Sequence, residues 1–199
     1  MKSIHFPPGK YDFKIENTTP DTTIIQHTIN WIQSVVIGCN FCPFAAKALL
    51  KKTVRYTVLP SANTKAVLEK LMQEIYHLDE GEDIETTFII LPDNFGDFSA
   101  YLDLVEVAEK LIEKEDYEGV YQLASFHPQY CFAGESPEDA ANYTNRSPYP
   151  MLHILREDSI TNALENFPDP ESIPEKNIAF ARNKGLAYMQ ELMRQALGQ

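Results

Sequence analysis

Three strand-like runs with an amphipathic helix between each pair constrain the fold of this chain more than any other feature. Each run ends just before a proline-containing turn: Val54–Leu59 before Pro60, Thr86–Leu91 before Pro92, and Gly119–Phe126 before His127-Pro128. Between the runs, apolar residues such as Val67, Leu71 and Ile75 recur at the spacing of a helix with one buried face. Successive parallel strands need a crossover of this length. We therefore expect an α/β fold with three parallel strands joined by right-handed helical crossovers.

A fourth strand and two long helices complete the predicted architecture. Met151–Arg156 is strand-like, and no crossover helix precedes it, which favours antiparallel pairing. Apolar residues at helical spacing predict an N-terminal helix over Thr22–Ile37. A capping box over Ser172–Glu175 predicts a C-terminal helix over Glu175–Leu197. The predicted fold is thus a small sheet of about four strands, three parallel and one antiparallel, packed by helices that include long N- and C-terminal ones.

The length of the chain fits one domain preceded by an arm. Residues 1–20 are rich in proline, threonine and lysine and have no helical or strand period, so we interpret them as an arm on the surface. Residues 21–199 then form a single α/β domain, whose hydrophobic content is sufficient for an ordinary core. No apolar run approaches the roughly 20 residues that span a bilayer, and the N-terminus lacks the features of a secretion signal. We therefore expect a cytoplasmic protein that does not enter membranes.

Charge is unevenly distributed along the chain. The net charge is −12, yet residues 74–118 alone hold fifteen acids and two bases, whereas residues 22–68 hold five bases and no acid. An acidic solvated face explains most of this excess. The acidic total argues against bulk nucleic-acid binding, which needs a basic surface to neutralise phosphates. A pocket for a small anion remains possible on the acid-free side.

The long segment between the third and fourth strands is the predicted functional site. About twenty residues within Phe126–Arg156 have no helical or strand period, and connections of that length in compact domains are usually functional or disordered. Five aromatic residues within the segment favour a packed loop over a disordered one. The loop also begins at the edge where the three parallel strands end, which is where open α/β sheets bind ligands.

Polar side chains of this segment suit an anionic ligand. Arg146 is flanked by Asn142, Asn145 and Ser147, whose donors can bind a carboxylate or phosphate from several directions. Arg156, at the end of the fourth strand, is a further candidate ligand-binding residue. The same groups can equally hold a long loop in place, because amides and hydroxyls bond nearby backbone and arginine caps carbonyls. The residue types leave both interpretations open.

Cys42 and His127 are the candidate catalytic residues. A short helix predicted after Pro43 would place the thiol of Cys42 at its N-terminal end, where the thiolate is favoured, and His127 directly follows a strand. They form a thiol–imidazole pair only if the fold brings them together. The alternatives are a buried cysteine and a loop histidine that bonds a carbonyl. Cys39-x-x-Cys42 follows a helix rather than a strand, which disfavours a thioredoxin-like site.

The sequence indicates no metal site and no particular cofactor. The three cysteines, which we interpret as free thiols, and the dispersed histidines lack the paired spacing of zinc ligands. The acids around Gly81 lack the alternation of a calcium loop. Neither a glycine-rich phosphate loop nor a serine nucleophile elbow is present.

Three segments of the chain resemble one protein family. The segments are G-C-N-F-C-P-F-A, F-H-P-Q-Y-C-F-A-G and N-Y-T-N-R-S-P-Y-P-M-L-H-I-L-R-E. They are similar to the family catalogued as domain of unknown function 1415, and the resemblance extends from about Thr22 to Leu197. It implies a single domain but no established activity. It also implies motif positions at Cys42, His127, Asn142, Asn145, Arg146 and His153. An apolar residue stands in the family at the position of Cys39, which further disfavours a redox pair.

Three functional hypotheses come from these observations. The first is a small-molecule protein or enzyme that binds an anion in the region 126–156. The second is a non-catalytic interaction module whose acidic face, residues 74–118, docks a basic partner. The third is a thiol-dependent enzyme that uses Cys42. The sequence leaves the reaction, the substrate and the oligomeric state open.

Overall fold

The structure is a computed structural model that describes residues 20–199 apart from Glu82, Asn166 and Pro168. Apart from Pro20, the predicted arm lies outside the described residues, so the division of the chain into an arm and one domain stays a prediction. The strands are β1 Val54–Val58, β2 Thr86–Ile90, β3 Tyr121–Phe126 and β4 Met151–Arg156. The α-helices are α1 Pro20–Trp31, α2 Ala45–Lys51, α3 Thr64–Glu80, α4 Phe98–Lys114, α5 Glu157–Leu164, α6 Ile173–Lys184 and α7 Leu186–Ala196.

The four strands form one mixed sheet in the order β1-β2-β4-β3. The expected α/β class and the expected four-stranded sheet are confirmed. The expected parallel pairing of three strands is wrong in detail, because β4 lies between β2 and β3 and pairs antiparallel with both, so that only β1 and β2 form a parallel pair. Since β2 and β3 both oppose β4, the strands β1, β2 and β3 still run in the same direction.

Helices cover both faces of the sheet. On one face, α3 and α4 pack Leu71 and Leu104 against Ile89 and Ile154. On the other, α1, α6 and α7 pack around Phe88 and other side chains of the sheet. All five residues of β2 are buried, as expected for a strand covered on both sides. Each fully buried leucine or isoleucine in these layers stabilises the fold by about 1.5–3 kcal/mol.

Side-chain caps begin the two crossover helices next to the sheet edge. The Oδ1 atom of Asn63 accepts a hydrogen bond from Ala66 N at 2.9 Å, and that of Asp97 accepts one from Ala100 N at 2.9 Å. Such caps contribute about 1 kcal/mol each. They fix where α3 and α4 start, and thereby place the turns that follow β1 and β2.

Of the two long helices predicted near the ends of the chain, the N-terminal one forms and the C-terminal one is divided in two. The first runs as α1 and continues as a π-helical segment, Ile32–Ile37, to Gly38, where a Cβ atom would lie 2.3 Å from the carbonyl oxygen of Ser34. The expected single C-terminal helix is wrong: Gly185, at φ 84° and ψ 161°, separates α6 from α7. The expected capping box does not form either, because the hydroxyl of Ser172 donates to Asp169 O instead.

Candidate functional site

The turns that follow β1, β2 and β3 meet at one edge of the sheet, as the strand directions require. The hydroxyl of Ser61, after β1, donates to a carboxylate oxygen of Asp93, after β2, at 3.3 Å. Next to this pair, Nε2 of His127, after β3, lies 2.8 Å from the carbonyl oxygen of Phe95. The three turns are therefore neighbours at this edge, and a ligand site there stays a prediction.

His127 is buried at this edge with both ring nitrogens occupied. Its Nδ1 accepts a hydrogen bond from Gln129 N at 3.0 Å, so Nε2 carries the proton and donates to Phe95 O. Its ring packs against the rings of Phe98 and Tyr101. Burial lowers the pKa of His127 below its ordinary value, against a smaller opposing effect of the Phe95 carbonyl. The geometry holds a neutral imidazole in a fixed tautomer, and a catalytic role for it stays a prediction.

The hydroxyl of Tyr101 closes the end of the sheet beside His127. It donates to Met151 O at 2.7 Å and accepts from Phe126 N at 3.0 Å. Because Phe126 and Met151 are register partners, this hydroxyl bridges the last pair of the β3–β4 ladder. Sequence reasoning did not single out Tyr101. A tyrosine on the apolar face of a helix was the available signal, since a buried tyrosine hydroxyl needs a partner.

The loop between β3 and β4 is held together by its own polar side chains. The guanidinium of Arg146 donates from Nε to Tyr130 O at 3.0 Å and from Nη2 to Pro137 O at 2.7 Å, and it lies 4.8 Å from the centroid of the Tyr143 ring. The hydroxyl of Ser147 donates to Tyr149 O at 2.6 Å. These contacts hold the loop in place, which is one of the two interpretations left open by the sequence.

The two asparagines of the loop make similar contacts. Asn142 is fully buried and joins Phe132 N to Ser136 O through its amide. Asn145 accepts a hydrogen bond from the Thr144 hydroxyl with its side chain and one from His127 N with its carbonyl. Anion binding by this set of residues stays a prediction.

The structure places Arg156 away from the other candidate ligand-binding residues. Since β4 opposes the other strands, its last residue lies at the edge where β1, β2 and β3 begin. There the guanidinium of Arg156 bonds the carbonyl oxygens of Leu78 and Gly81 at the end of α3 and the hydroxyl of Tyr121. Arg156 thus caps a helix at the opposite edge from His127.

His153 packs within the sheet on the face covered by α1. Its ring stacks on Phe88 with centroids 3.8 Å apart, and its Nε2 lies 2.5 Å from the hydroxyl of Thr86. The Thr86 hydroxyl donates to Ile154 O at 2.6 Å. Its oxygen therefore accepts a hydrogen bond from Nε2 of His153. Burial lowers the pKa of His153 to about 3. His153 and Arg156 lie on opposite faces, as expected from their spacing.

We expect the free energy of unfolding to fall as the pH drops from 7 to 5, in part because of His153. The folded chain keeps His153 neutral, whereas the unfolded chain binds a proton near the ordinary histidine pKa of 6.5. The stabilisation is therefore complete above pH 6.5 and declines below it, by up to about 1.4 kcal/mol per pH unit for one histidine. Urea unfolding of wild type and His153→Phe at several pH values tests this. An unchanged slope in the variant would contradict it.

Cys42 lies between the π-helical segment and α2, away from His127. Burial raises the pKa of its thiol, and the backbone N–H groups of Phe44 and Ala45 act weakly in the opposite direction. The described ring contacts of His127 are to α4, on one face of the sheet, whereas the helix before Cys42 packs on the other. Among the described residues, the hydrogen bonds of the His127 ring go to Phe95 O and Gln129 N, and none goes to Cys42.

We expect Cys42 to react slowly with iodoacetamide at neutral pH, because burial favours the thiol over the thiolate. The rate is measured across pH in a chain that also carries Cys39→Ala and Cys131→Ser. The same profile is expected when His127→Gln is added, since the imidazole is bonded elsewhere. A low apparent pKa that rises on loss of His127 would show a coupled pair and contradict this expectation.

A concave acidic groove of about 500 Å³ lies between α4 and the outer strand β3. Three glutamates of α4 lie along it, a fourth lies in the turn before β3, and a fifth begins α5: Glu106, Glu109, Glu113, Glu118 and Glu157. All are exposed except the half-buried Glu157. Among the described lining residues the single base is Lys110, which pairs with Glu106 within the helix. The groove therefore has a strong negative potential.

Comparison with the sequence models of protein families assigns the chain to a family. The sequence model of a family described as protein of unknown function (DUF1415) matches residues 23–191. The chain belongs to this family. No curated protein and no solved structure matches it.

The six motif positions expected for a DUF1415 member occupy different surroundings in the fold. His127, Asn142, Asn145 and Arg146 belong to the loop between β3 and β4 or its start, whereas His153 lies inside the sheet and Cys42 lies beyond α1. The loop residues support one another through the contacts described above. The groove was only partly anticipated: its α4 acids belong to the predicted acidic face, but Glu157 and the outer strand were not connected with it.

Two properties of the described residues bear on the class of site. No group of three or more histidine, cysteine, aspartate or glutamate side chains within residues 20–199, as far as described, is arranged to hold a metal ion. Across the same residues, no helix has both the length and the apolar character needed to cross a membrane.

Proposed function

We propose that this DUF1415 protein is a non-catalytic binding module that docks a basic segment of a partner in the groove between α4 and β3. The observation that carries the proposal is the convergence of five glutamates on one concave surface with a single lysine, itself paired. A lysine- or arginine-rich segment is the complementary ligand. Complementary charge raises the rate of encounter and disfavours acidic partners.

The contacts of the arginines favour this proposal over anion binding. An anion site needs cationic donors directed at a ligand. Arg146 and Arg156, the candidate residues for that role, donate to backbone carbonyls of the loop and of α3. The glutamates along α4, in contrast, extend into solvent.

We expect a lysine-rich peptide to bind wild-type protein and to bind the double variant Glu109→Gln, Glu113→Gln about tenfold more weakly. Each exposed charge pair contributes about 0.2–1 kcal/mol, so the loss of two costs up to about 2 kcal/mol, and 1.4 kcal/mol corresponds to tenfold in affinity. Fluorescence anisotropy of a labelled peptide measures the affinity, which is also expected to fall with added salt.

The matched control for this experiment removes two acids elsewhere. Glu171→Gln with Glu175→Gln changes the net charge equally, but neither residue lines the groove, and both lie near the start of α6, which packs on the other face of the sheet. We expect less than a twofold loss, because exposed charges beyond about 8–10 Å are screened. Equal losses in both double variants would show binding to net charge alone and contradict the proposal.

The second candidate is a small-molecule site at the edge where β1, β2 and β3 end. The observation that favours it is the meeting of three turns there, with half-buried Arg146 in the adjoining loop. Calorimetric titration with inorganic phosphate and with a dicarboxylate tests it. Binding that Arg146→Lys weakens would support this candidate, and the absence of heat with both ligands would contradict it.

A further inference from the structure

The outer side of β3 has backbone groups directed away from the sheet. Glu157 N donates to Val120 O in register with the β3–β4 pairs. In an antiparallel ladder the backbone groups of alternate residues point to the same side. Those of Gln122 and Ala124 therefore face β4, and those of Leu123 and Ser125 point outward.

No backbone partner bonds the outward groups of Leu123 and Ser125 within the described ranges of the chain. The strand order places β3 at the end of the sheet. An unpaired strand edge of this kind is a template for another strand.

The same edge forms one wall of the acidic groove. Tyr121, Gln122 and Leu123 line one side, and the glutamates of α4 line the other. Glu109 and Glu113 are four residues apart, which is about 6 Å along a helix. Alternate side chains of a strand are about 6.6 Å apart. A strand laid along β3 would therefore present every second side chain to successive carboxylates of α4.

The charge of the groove also selects against other strands. Two copies of this chain would bring like charges together at the edge, and charged side chains are a common protection of edge strands against self-pairing. A basic strand replaces that repulsion with attraction. The surface thus offers unpaired backbone groups to an added strand and favours a strand that is basic.

We propose that the basic segment binds as a fifth strand on the outer edge of β3, with lysine or arginine at alternate positions facing α4. This inference rests on the proposed function and adds the conformation and sequence pattern of the partner. Main-chain hydrogen bonds to Leu123 and Ser125 supply part of the affinity, and the alternating basic residues supply the specificity.

The test uses a peptide in which lysine alternates with threonine, and two isomers of it. One isomer carries backbone N-methyl groups on every lysine, and the other carries them on every threonine. In a strand, alternate N–H groups point to opposite sides, so methylation blocks the edge-facing donors in one isomer and the solvent-facing donors in the other. Both isomers keep the charge of the parent peptide.

We expect the parent peptide and one isomer to bind the full chain with similar affinity, and the other isomer to bind at least tenfold more weakly. Hydrogen exchange of the Leu123 and Ser125 amides is expected to slow in the complex with the parent peptide. Equal affinity of the two isomers, whether both bind or neither does, would overturn strand addition. If both bind and both need Glu109 and Glu113, the proposed function survives that result. If the parent peptide itself does not bind, the proposed function fails as well.

Discussion

Replacing Trp31 with alanine is expected to lower the free energy of unfolding by about 3–5 kcal/mol, the usual cost of removing a large buried aromatic ring. Trp31 is 1% exposed and makes edge contacts with the rings of Phe88 and Phe126. Its Nε1 donates to Arg146 O at 3.0 Å. One side chain thus joins α1, the sheet and the β3–β4 loop. Denaturant unfolding followed by circular dichroism measures the loss.

Trp31→Phe is the control that separates packing from the hydrogen bond. It keeps an aromatic ring but removes the donor to Arg146 O, so we expect a loss of about 1–2 kcal/mol, from one hydrogen bond and a smaller ring. If both variants unfold within about 1 kcal/mol of wild type, Trp31 does not have a central role in the packing of α1, the sheet and the β3–β4 loop.

Replacing Asn142 with alanine is expected to cost about 2–3 kcal/mol and to expose the β3–β4 loop to proteases. The amide of Asn142 is fully buried, accepts from Phe132 N at 3.0 Å and donates to Ser136 O at 2.9 Å. Removing one member of a buried hydrogen bond leaves its partner unsatisfied, at about 1–3 kcal/mol. Thermal unfolding gives the stability, and limited proteolysis with mass spectrometry locates new cuts within residues 127–150.

Asn145→Ala is the matched control in the same loop. The side chain of Asn145 is half-buried and accepts a hydrogen bond from the neighbouring Thr144 hydroxyl. We expect a loss below about 1 kcal/mol and no new cleavage, as for most substitutions away from buried networks. A larger effect of Asn145→Ala than of Asn142→Ala would contradict the assignment of Asn142 as the main support of the loop.

The sequence predicted the elements of the sheet better than their pairing. Apolar periodicity located the four strands of the described sheet and the two crossover helices, because local burial patterns determine them. It did not place β4 between β2 and β3, since pairing depends on the path of a long loop. The composition of β4 was a usable signal: Met151, Leu152 and Ile154 are buried on both faces, as in a central strand.

The candidate site, like the sheet, could be predicted only in part. The meeting of the strand ends was predictable, because strands that run in one direction end at one edge. Whether Arg146 binds an anion or carbonyls was not, since the same guanidinium suits both. The structure shows it bonded to Tyr130 O and Pro137 O. The acidic groove needed the fold, because Glu157 joins the α4 carboxylates only through the β3–β4 pairing.

The proposed binding surface consists of α4 and β3. The β3–β4 loop is not part of that surface, and its polar side chains hold the loop itself in place. Amide chemical-shift mapping of the full chain during titration with the lysine–threonine peptide tests this most directly. We predict that the shifts concentrate at residues 106–113 and 118–125 and at Glu157, and that they diminish with Glu109→Gln, Glu113→Gln. Shifts concentrated at residues 127–150 would contradict the proposed surface. So would the absence of shifts at peptide concentrations that saturate other acidic proteins.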